Sequence, residues 1–376
     1  MNKIKRKIGI LGANKPLLNF YKRVRVLGYE IHAFAWEEGA VCKSMADYFY
    51  PISFTEVQII SNICKEKQIE MVTSFSLESA LPYVYEIAQI MGWNFPSEAC
   101  RMRSLNKLTM RHVFEQSGVS IPRFLFTKSE EQQLETFPVI VKPIDSGGSR
   151  GVTRVDNIHD LKGAIRRAKS FSASSQVLIE QFIDGPEYSV EAISFEGKHH
   201  IAAITEKVTT GPPNFVELAH FQPAEMSMER KNKIEALVSK SLSALDYQQG
   251  PSHSEVKFDS TGECYLIEVG LRLGGDFITS DLVRLSTGYD IVEASIELCC
   301  GLFIPPIPKW EKHAGVYFKS FETQEIWSKM AILKETNFYV EGEEWSNEKT
   351  VVTESADRLG YLIYQHDERL KLNGTF

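Results

Sequence analysis

The sequence has no long hydrophobic run and no excess of basic residues. No segment of the 376 residues approaches about 18 uninterrupted apolar positions, so no membrane-spanning helix is predicted. The formal net charge is −7 and no basic stripe is present, which argues against sequence-independent binding to nucleic acid. The N-terminal sequence MNKIKRKIGILGAN has only about four apolar residues after its basic ones, too few for a signal-peptide core, and predicts a first strand.

The cysteines show neither a CxxC pair nor the spacing of a zinc site. They lie at Cys42, Cys64, Cys100, Cys264, Cys299 and Cys300. Reduced thiols in a cytoplasmic protein are the simplest expectation. With 43% hydrophobic and 24% charged residues, the composition is that of a globular protein. The length predicts two or three domains of roughly 100–200 residues each.

Residues 7–95 alternate between strand and helix signals. Strands are predicted at KIGILGAN, YEIHAFAW and EMVTSF, the third strand of the series. Helices are predicted at PLLNFYKRVRVLG, VQIISNICKEKQ and LPYVYEIAQIMG. This order is typical of an α/β domain with a parallel sheet and flanking helices.

The middle of the chain has a different pattern, in which strands dominate. After a helical connector and the extended segment SIPRFLF, strands are predicted at PVIVKP, QVLIEQFI, EYSVEAISF, HHIAAITEKV, SEVKFD and CYLIEVG. Helices are predicted at DLKGAIRRAKSF and MERKNKIEALVSKSLSAL. Strand runs with segregated helices favour an α+β architecture. The tail beyond about residue 311 adds the strands AGVYFKSF and GYLIYQH.

The segment PVIVKPIDSGGSRGV joins a strand to a glycine-rich loop. Lys142 lies in the strand, and Gly147, Gly148 and Gly151 lie in the loop. Small residues let backbone N–H groups approach an anion, and lysine adds a mobile positive charge. The lysine precedes the glycines, so this is not a Walker A loop. A hairpin turn with a solvated lysine has equal weight on this motif alone.

The segment QVLIEQFIDGPEYSVE places carboxylates on both sides of a turn. Glu180 ends one strand and Glu187 opens the next. These carboxylates are candidates to bind an adenine amine and ribose hydroxyls, with backbone groups of Gln181 and Ile183 along a purine edge. On this motif alone, the end of a polar hairpin is the favoured interpretation.

The segment SEVKFDSTGECYLIEV predicts an antiparallel hairpin that turns at Asp259–Gly262. With an even-length loop, Glu255 and Glu268 lie on one face, opposite or nearly opposite each other. The other face is predicted to be apolar and to contain Val256, Phe258, Tyr265, Ile267 and Val269. Opposed like charges require a cation between them. A divalent cation is favoured over ion pairs with Lys257 or Arg272 by a modest margin.

Two further candidates have weaker support. Glu217 and His220 lie three residues apart in FVELAHFQPA, either in a loop that closes over a site or in a surface turn with a satisfied histidine. Glu78 follows the third predicted strand, and ligands of parallel sheets bind at the carboxyl ends of strands. A favourable interaction of Glu78 with a helix dipole is the alternative.

The order of these motifs resembles the ATP-grasp superfamily from the first strand to about residue 308. By motif, the resemblance is closest to carboxylate–amine ligases that join L-amino acids, and more distant to carbamoyl phosphate synthase and biotin carboxylase modules. It implies a Rossmann-like pre-ATP-grasp domain over 1–96 and a two-lobed ATP-grasp fold over 97–310, with a lid at about 110–185. A C-terminal extension over 311–376 would pack on the ATP-grasp domain.

The resemblance also implies a role for each candidate residue. The nucleotide phosphates would contact Lys107, Lys142 and a mobile loop of Gly147, Gly148, Ser149 and Gly151. Adenine would contact Glu180, Gln181 and Ile183, and ribose would contact Glu187. Magnesium would bind Glu255 and Glu268. Arg272 would hold the acyl-phosphate and the tetrahedral intermediate. The remaining substrate contacts would be Glu78, Glu217, His220, Gly274 and Gly275.

One residue departs from the pattern of the superfamily. The family motif is usually Glu-x-Asn, whereas this chain has Glu268-Val269-Gly270, so one metal ligand is missing. Either a water replaces the asparagine or a second magnesium binds more weakly.

The implied function is an ADP-forming ligase that joins a carboxylate to an amine, on amino-acid substrates, through an acyl-phosphate. ATP would be a substrate, and Mg²⁺ or Mn²⁺ the metal. His220 is a candidate general base because its ordinary pKa lies near working pH. A bicarbonate-using enzyme is the main alternative, ahead of a non-catalytic ATP-binding protein. A dinucleotide site at ILGAN has little weight, because the full glycine pattern is absent. The expected partners are a small-molecule carboxylate and amine, without nucleic acid or membrane; monomer and homodimer both stay open.

Overall fold

The computed structural model describes residues 5–93, 96–145, 150–345 and 351–370. The strands of these residues form a four-stranded parallel sheet, a four-stranded antiparallel sheet and an eight-stranded antiparallel sheet. The predicted sequence of an α/β part followed by α+β parts is confirmed. Within the described ranges, no helix has both the length and the apolar composition needed to cross a membrane.

The first sheet has the strand order β3-β2-β1-β4, and all its neighbouring strands are parallel. Its strands are β1 (Lys7–Leu11), β2 (Glu30–Phe34), β3 (Tyr48–Tyr50) and β4 (Met71–Thr73), and the helices are α1 (Leu18–Leu27), α2 (Val57–Lys67) and α3 (Leu81–Met91). The alternation predicted from the sequence is therefore confirmed. The short edge strand β3 was missed, so EMVTSF forms the fourth strand and not the third.

A helical connector leads from the first sheet to the second. It contains α4 (Glu98–Ser104) and α5 (Lys107–Gln116). The side chain of Asn106 accepts hydrogen bonds from the backbone N–H groups of Leu108 and Thr109, which caps α5. This cap places Lys107 in the first turn of α5, and Arg111 follows one turn later on the same side of the helix.

The second sheet has the order β5-β8-β6-β7. Its elements are β5 (Phe124–Thr127), β6 (Val139–Pro143), β7 (Thr153–Val155), α6 (Ile158–Ser170) and β8 (Val177–Gln181). An apolar core beneath this sheet includes Val141, Ile165 and Ile179, all of them buried. The sequence pattern predicted β6, α6 and β8 but missed β7.

The third sheet has the order β13-β12-β9-β10-β11-β14-β16-β15. The strands are β9 (Glu187–Phe195), β10 (Lys198–Thr209), β11 (Glu217–Gln222), β12 (Gly250–Phe258), β13 (Cys264–Gly270), β14 (His313–Lys319), β15 (Tyr339–Glu344) and β16 (Gly360–His366). The helices are α7 (Met228–Ala244), α8 (Val283–Thr287), α9 (Ile291–Cys299) and α10 (Trp327–Lys334). Strand β14 pairs with β11, so the segment beyond 311 continues the sheet that carries the β12–β13 hairpin.

Candidate functional site

The β12–β13 hairpin places Glu255 directly opposite Glu268, as the sequence predicts. Beyond this pair the register shifts, so that Val256 lies opposite Leu266 and Ile267 is an extra residue in β13. Such a β-bulge reverses the alternation of side chains between the two faces. Ile267 therefore lines the same cleft as Glu268.

The bulge corrects the predicted apolar face of the hairpin. Tyr265 and Ile267 do not lie on that face: both are partly exposed, and Tyr265 is paired with Lys257. The buried face consists of Val256, Phe258, Cys264, Leu266 and Val269. The prediction failed because strict alternation was continued through a residue that has no cross-strand partner.

Two lysines from outside the hairpin balance the opposed acids. The Nζ atom of Lys107 lies 3.2 Å from Oε1 of Glu268, and that of Lys207 lies 2.6 Å from Oε1 of Glu255. Burial alone would raise the pKa of both carboxyls, but these lysines hold the pKa of each below its ordinary value. The partners considered from the sequence lie elsewhere: Lys257 contacts Glu187 at 3.9 Å and Arg272 contacts Glu78 at 2.9 Å.

Lys207, which the sequence analysis missed, lies among three carboxylates. Its Nζ is 2.7 Å from Glu187, 3.7 Å from Glu217 and 2.6 Å from Glu255. Burial opposes its protonation, yet these acids raise the pKa of Lys207 well above its ordinary value. The sequence did contain a signal for Lys207: it is a lysine inside the predicted strand HHIAAITEKV, where a buried charged side chain needs partners of opposite charge.

Lys142 and Glu180 belong to a buried ionic triad with Arg111. One carboxylate oxygen of Glu180 accepts a hydrogen bond from Nε of Arg111 at 2.6 Å, and the other lies 2.5 Å from Nζ of Lys142. Burial lowers the pKa of Lys142, whereas Arg111 and Lys142 lower the pKa of Glu180 against the effect of burial. Arg111 was not predicted, although its position four residues after Lys107 was the available signal.

The second and third sheets enclose a cleft of about 910 Å³ that is open to solvent. Residues predicted from the sequence that line it are Lys107, Lys142, Glu180, Gln181, Ile183, Glu187, Glu217, Glu255 and Glu268. The candidates that do not line it are Glu78, Gly151, His220, Arg272, Gly274 and Gly275. The cleft therefore unites the predicted nucleotide and metal residues and leaves most substrate candidates beside it.

The glycine-rich loop is described only in part. Gly147, Gly148 and Ser149 lie outside the described residues. Gly151 has a φ of 75°, and a Cβ atom there would lie 2.9 Å from the ring of Phe171. Both the backbone conformation and the packing therefore require glycine at this position.

Arg272 occupies the space beside Gly270. Its guanidinium contacts Glu78 at 2.9 Å and the carbonyl oxygen of Leu273 at 2.9 Å. A Cβ atom on Gly270 would lie 3.3 Å from two carbon atoms of Arg272. The glycine that departs from the family motif thus leaves room for the arginine, and any larger side chain would crowd it.

Gly274 and Gly275 differ in their surroundings. A Cβ atom on Gly274 would lie 2.7 Å from Nδ1 of His253 and 2.9 Å from a carboxylate oxygen of Glu191. A Cβ atom on Gly275 would meet only Ser76, at 3.7 Å. Gly274 therefore covers a buried side-chain pair, whereas Gly275 faces the loop that follows β4.

Glu217 and His220 lie in strand β11, in the interior of the third sheet. The structure corrects both readings of FVELAHFQPA, because these residues form neither a closing loop nor a surface turn. His220 is only 1% exposed, and its Nδ1 atom has no hydrogen-bond partner among the described residues. Burial lowers the pKa of His220 to about 3, so its imidazole is neutral near neutral pH.

Arg358 and Asp276 extend the site beyond Glu217 and were not predicted. One guanidinium nitrogen of Arg358 lies 3.0 Å from Glu217 and 2.9 Å from Asp276. Asp276 and Phe277 have φ values of 48° and 67°, and such conformations in neighbouring non-glycine residues are costly. This strained backbone carries the carboxylate that pairs with Arg358. The sequence offered no signal for it.

The donors of the site suit a hard divalent cation. Glu255 and Glu268 supply carboxylate oxygens, which magnesium prefers, and Lys207 already occupies a cation position beside Glu255. In the described part of the chain, no three His, Cys, Asp or Glu side chains surround a common metal position. The arrangement therefore fits a cation that substrate phosphates also hold, and not a cage built by the protein alone.

Comparison with known proteins identifies similar sequences over parts of the chain. A family model described as the ATP-grasp domain matches residues 135–280. The uncharacterized protein y4rH of Sinorhizobium fredii is 29% identical over 250 residues, which cover 64% of this chain and 51% of that protein. The D-alanine–D-alanine ligase of Ectopseudomonas mendocina is 28% identical over 181 residues, or 44% of this chain and 55% of the ligase. The chain thus aligns with about half the length of these curated relatives.

Comparison with solved structures extends the similarity to nearly the whole chain. The L-amino acid ligase from Bacillus licheniformis superimposes with a TM-score of 0.82 at 23% sequence identity. The superposition covers 98% of this chain and 95% of the ligase. At this level of identity, the comparison shows that the two proteins share their fold.

Proposed function

Because residues 135–280 match the model of the ATP-grasp domain, we propose that the protein is an ATP-dependent ligase that joins a carboxylate to an amine and releases ADP. The proposal includes an acyl-phosphate intermediate and amino-acid substrates. Its partners would be small molecules, and the homodimer stays a prediction from the sequence.

The observation that carries the proposal is the arrangement of charges in the cleft. The Nζ atom of Lys107, in α5, lies 3.2 Å from a carboxylate oxygen of Glu268. The Nζ atom of Lys142, in β6, lies 2.5 Å from a carboxylate oxygen of Glu180. Buried lysines paired with buried acids are costly as a purely structural device. They are useful where a polyphosphate with a bound cation replaces those contacts, because the lysines then bind phosphate and the acids bind the cation.

The nucleotide is assigned to the cleft between the second and third sheets. Lys107 and Lys142 would bind its phosphates. Lys207 is a third candidate for phosphate binding because its Nζ lies 2.6 Å from Glu255, one of the two proposed metal ligands. Glu187 would accept hydrogen bonds from the ribose. Both oxygens of Glu180 are engaged by cations, so we assign adenine recognition to backbone groups around Gln181 and Ile183 and not to the Glu180 carboxylate.

Glu255 and Glu268 would hold the magnesium ion. When bound, the ion neutralises charge that develops on the phosphates during transfer. Lys107 and Lys142 add positive charge from the protein. The opposed carboxylates on one face of a rigid hairpin preorganise this part of the site.

The reaction has two steps. An oxygen of the substrate carboxylate attacks the γ-phosphorus, the bond to the β-phosphate oxygen breaks, and ADP leaves. The amine then attacks the acyl carbon, the bond to phosphate breaks, and an amide forms. Arg272, fixed by Glu78, would stabilise the negative oxygens of the acyl-phosphate and of the tetrahedral intermediate.

The amine must lose a proton in the second step. His220 was the candidate base, but a pKa of about 3 makes its imidazole a weak proton acceptor. Burial raises the pKa of Glu217, which lines the cleft, and so makes this carboxylate a better acceptor. We therefore assign the role of general base to Glu217 in place of His220.

The test is release of ADP over pairs of L-amino acids, with mass spectrometry of the product. An amide product with release of one ADP per bond is expected. Glu268→Gln should abolish turnover, whereas the matched control Glu263→Gln, at an exposed position in the turn of the same hairpin, should not. ADP release that needs bicarbonate and no amino acid would refute the ligase assignment. ATP binding without turnover on any pair would refute catalysis.

A further inference from the structure

A second cavity, of about 620 Å³, lies between the first and third sheets. Its walls come from β4 and α3 on one side and from β12 and α9 on the other, and they are mostly apolar, as at Val72, Val84 and Leu298. Among the described residues that line it, only Arg272 is charged. This cavity, which we call the rear cavity, therefore suits the apolar part of a small molecule.

The end of β13 connects the rear cavity to the nucleotide cleft. The two spaces share no lining residue among those that the structure describes. Glu268 lines the cleft, and Arg272, four residues later, lines the rear cavity. In the proposed reaction Arg272 holds the oxygens of the acyl-phosphate. A substrate with its carboxylate at Arg272 thus lies beside the rear cavity.

The chain after β4 fixes both the arginine and one wall of the rear cavity. Ser74 and Phe75 line the cavity, and Glu78 contacts the guanidinium of Arg272 at 2.9 Å. Phe75 has a φ of 47°, and its ring stacks on that of Phe20 with the centroids 4.9 Å apart. A strained conformation of this kind persists only where the surrounding packing holds it. The cavity wall and the arginine are therefore positioned together.

Two buried polar atoms of the lining residues lack hydrogen-bond partners. They are the hydroxyl of Ser74, a residue that is 2% exposed, and Nε of Arg272, and neither has a partner among the described residues. Buried polar groups nearly always have a partner in native proteins. The polar end of an amino acid supplies partners for both, because a carboxylate accepts hydrogen bonds from a guanidinium N–H and from a hydroxyl.

We propose that the rear cavity binds the apolar side chain of the carboxylate substrate, and that the protein thereby selects amino acids with large apolar side chains as acyl donors. The inference rests on the proposed function, because it assumes that Arg272 holds the reacting carboxylate. Charged side chains are rejected, because the guanidinium of Arg272 is already paired with Glu78 and the cavity walls supply no other ionic partner among the described residues.

The test uses hydroxylamine in place of the amine substrate. Hydroxylamine attacks the acyl carbon, phosphate leaves, and the hydroxamate that forms reports on the carboxylate substrate alone. The value of kcat/KM should rise about fourfold for each methylene from L-alanine through L-2-aminobutyrate to L-norvaline. It should be about 100-fold lower for L-aspartate and L-lysine than for L-leucine. Values of kcat/KM that do not depend on the side chain would overturn the inference.

Two adjacent cysteines supply a matched pair of variants. Cys299 lines the rear cavity and Cys300 does not, and both are partly buried. Cys299→Phe should fill part of the cavity and lower kcat/KM for L-leucine at least about tenfold relative to L-alanine. Cys300→Phe should keep the ratio of the natural protein. An unchanged ratio in folded Cys299→Phe would contradict the proposal.

Ser74→Ala tests the polar end of the same site. Loss of the hydroxyl should raise KM for L-alanine and L-leucine by the same factor, because both substrates have the same polar end. A change confined to L-leucine would place the side chain, and not the carboxylate, at Ser74 and so contradict the proposed orientation. Circular dichroism and thermal unfolding establish that each variant is folded. If Cys299→Phe does not fold, the methylene series in the natural protein still decides the question.

The experiment separates failure of the inference from failure of the proposed function. If hydroxamate forms from many carboxylates without regard to their side chains, only the role of the rear cavity is refuted. If ATP binds but no carboxylate yields hydroxamate, the proposed function is refuted and the inference falls with it.

Discussion

The stability of the protein should be sensitive to alanine at Gly274 and insensitive to alanine at the adjacent Gly275. In Gly274→Ala the new methyl group would lie 2.7 Å from Nδ1 of His253 and 2.9 Å from Glu191, closer than van der Waals contact allows. In Gly275→Ala the nearest atom belongs to Ser76, at 3.7 Å, which is an ordinary contact. The two variants therefore form a matched pair in which only the surroundings differ.

The loss of stability expected for Gly274→Ala follows from the clash of the new methyl group with the buried His253–Glu191 pair. Overpacking a tight interior costs about 1–3 kcal/mol. Neither Glu191 nor His253 can move away freely, because their contact at 2.6 Å is buried and the Glu191 carboxylate also accepts the Gly274 N–H. We expect Gly274→Ala to lower the free energy of unfolding by about 1–3 kcal/mol, and Gly275→Ala to change it by less than about 0.5 kcal/mol.

Urea denaturation followed by tryptophan fluorescence measures these changes. The Michaelis constants for the proposed amino-acid substrates supply the second readout, and Gly275→Ala should raise them because we propose that the backbone of Gly275 lies beside substrate. Equal losses of stability in the two variants would refute the packing argument. An unchanged free energy of unfolding in Gly274→Ala would show that the His253–Glu191 pair is mobile.

Three further substitutions test other contacts of the site. Glu180→Gln removes the anion between Arg111 and Lys142 and should destabilise the protein by about 3–5 kcal/mol in urea denaturation. A loss of unfolding free energy below about 1 kcal/mol would contradict the burial of this ionic triad. Gly270→Asn pushes a side chain into Arg272 and should reduce kcat by about 100-fold with little change in ATP affinity, as steady-state kinetics would show. An unchanged kcat would show that Arg272 takes no part in the reaction. His220 has a pKa of about 3 when folded and about 6.5 when unfolded, so the unfolded state binds the extra proton and stability falls as the pH decreases from 6.5 toward 3. Between pH 6.5 and 5 the loss should be about 1.6 kcal/mol larger in the natural protein than in His220→Gln, measured by denaturation at each pH. Parallel curves for the two proteins would refute the lowered pKa.

The features predicted correctly depend on interactions that are local in sequence. The alternation of apolar strands and amphipathic helices in residues 7–91 is visible because each element repeats its own period. The hairpin itself is visible because its two strands flank one short turn. Counting outward from the Phe258–Cys264 pair would place Glu255 opposite Ile267, however, and only the bulge brings Glu268 opposite Glu255.

The features that were missed depend on the order of strands in the third sheet. Arg358 reaches Glu217 across 141 sequence positions only because β16 and β11 flank β14. Lys207 meets Glu255 because β9 lies between β10 and β12. No periodicity in the sequence specifies which strands are neighbours. The bulge at Ile267 is missed for a related reason, since an extra residue leaves composition and alternation unchanged.

The glycine at 270 follows from a contact between distant parts of the fold. Arg272 follows β13 of the third sheet and contacts Glu78, which follows β4 of the first sheet and lies 194 positions away in the sequence. The Arg272 side chain passes beside the position that a side chain of residue 270 would occupy. A side chain at position 270 would therefore crowd an arginine in this pose. In the proposed reaction Arg272 supplies positive charge at the acyl-phosphate, so the glycine keeps that charge in place. The proposed cation then depends on Glu255, Glu268 and the substrate phosphates.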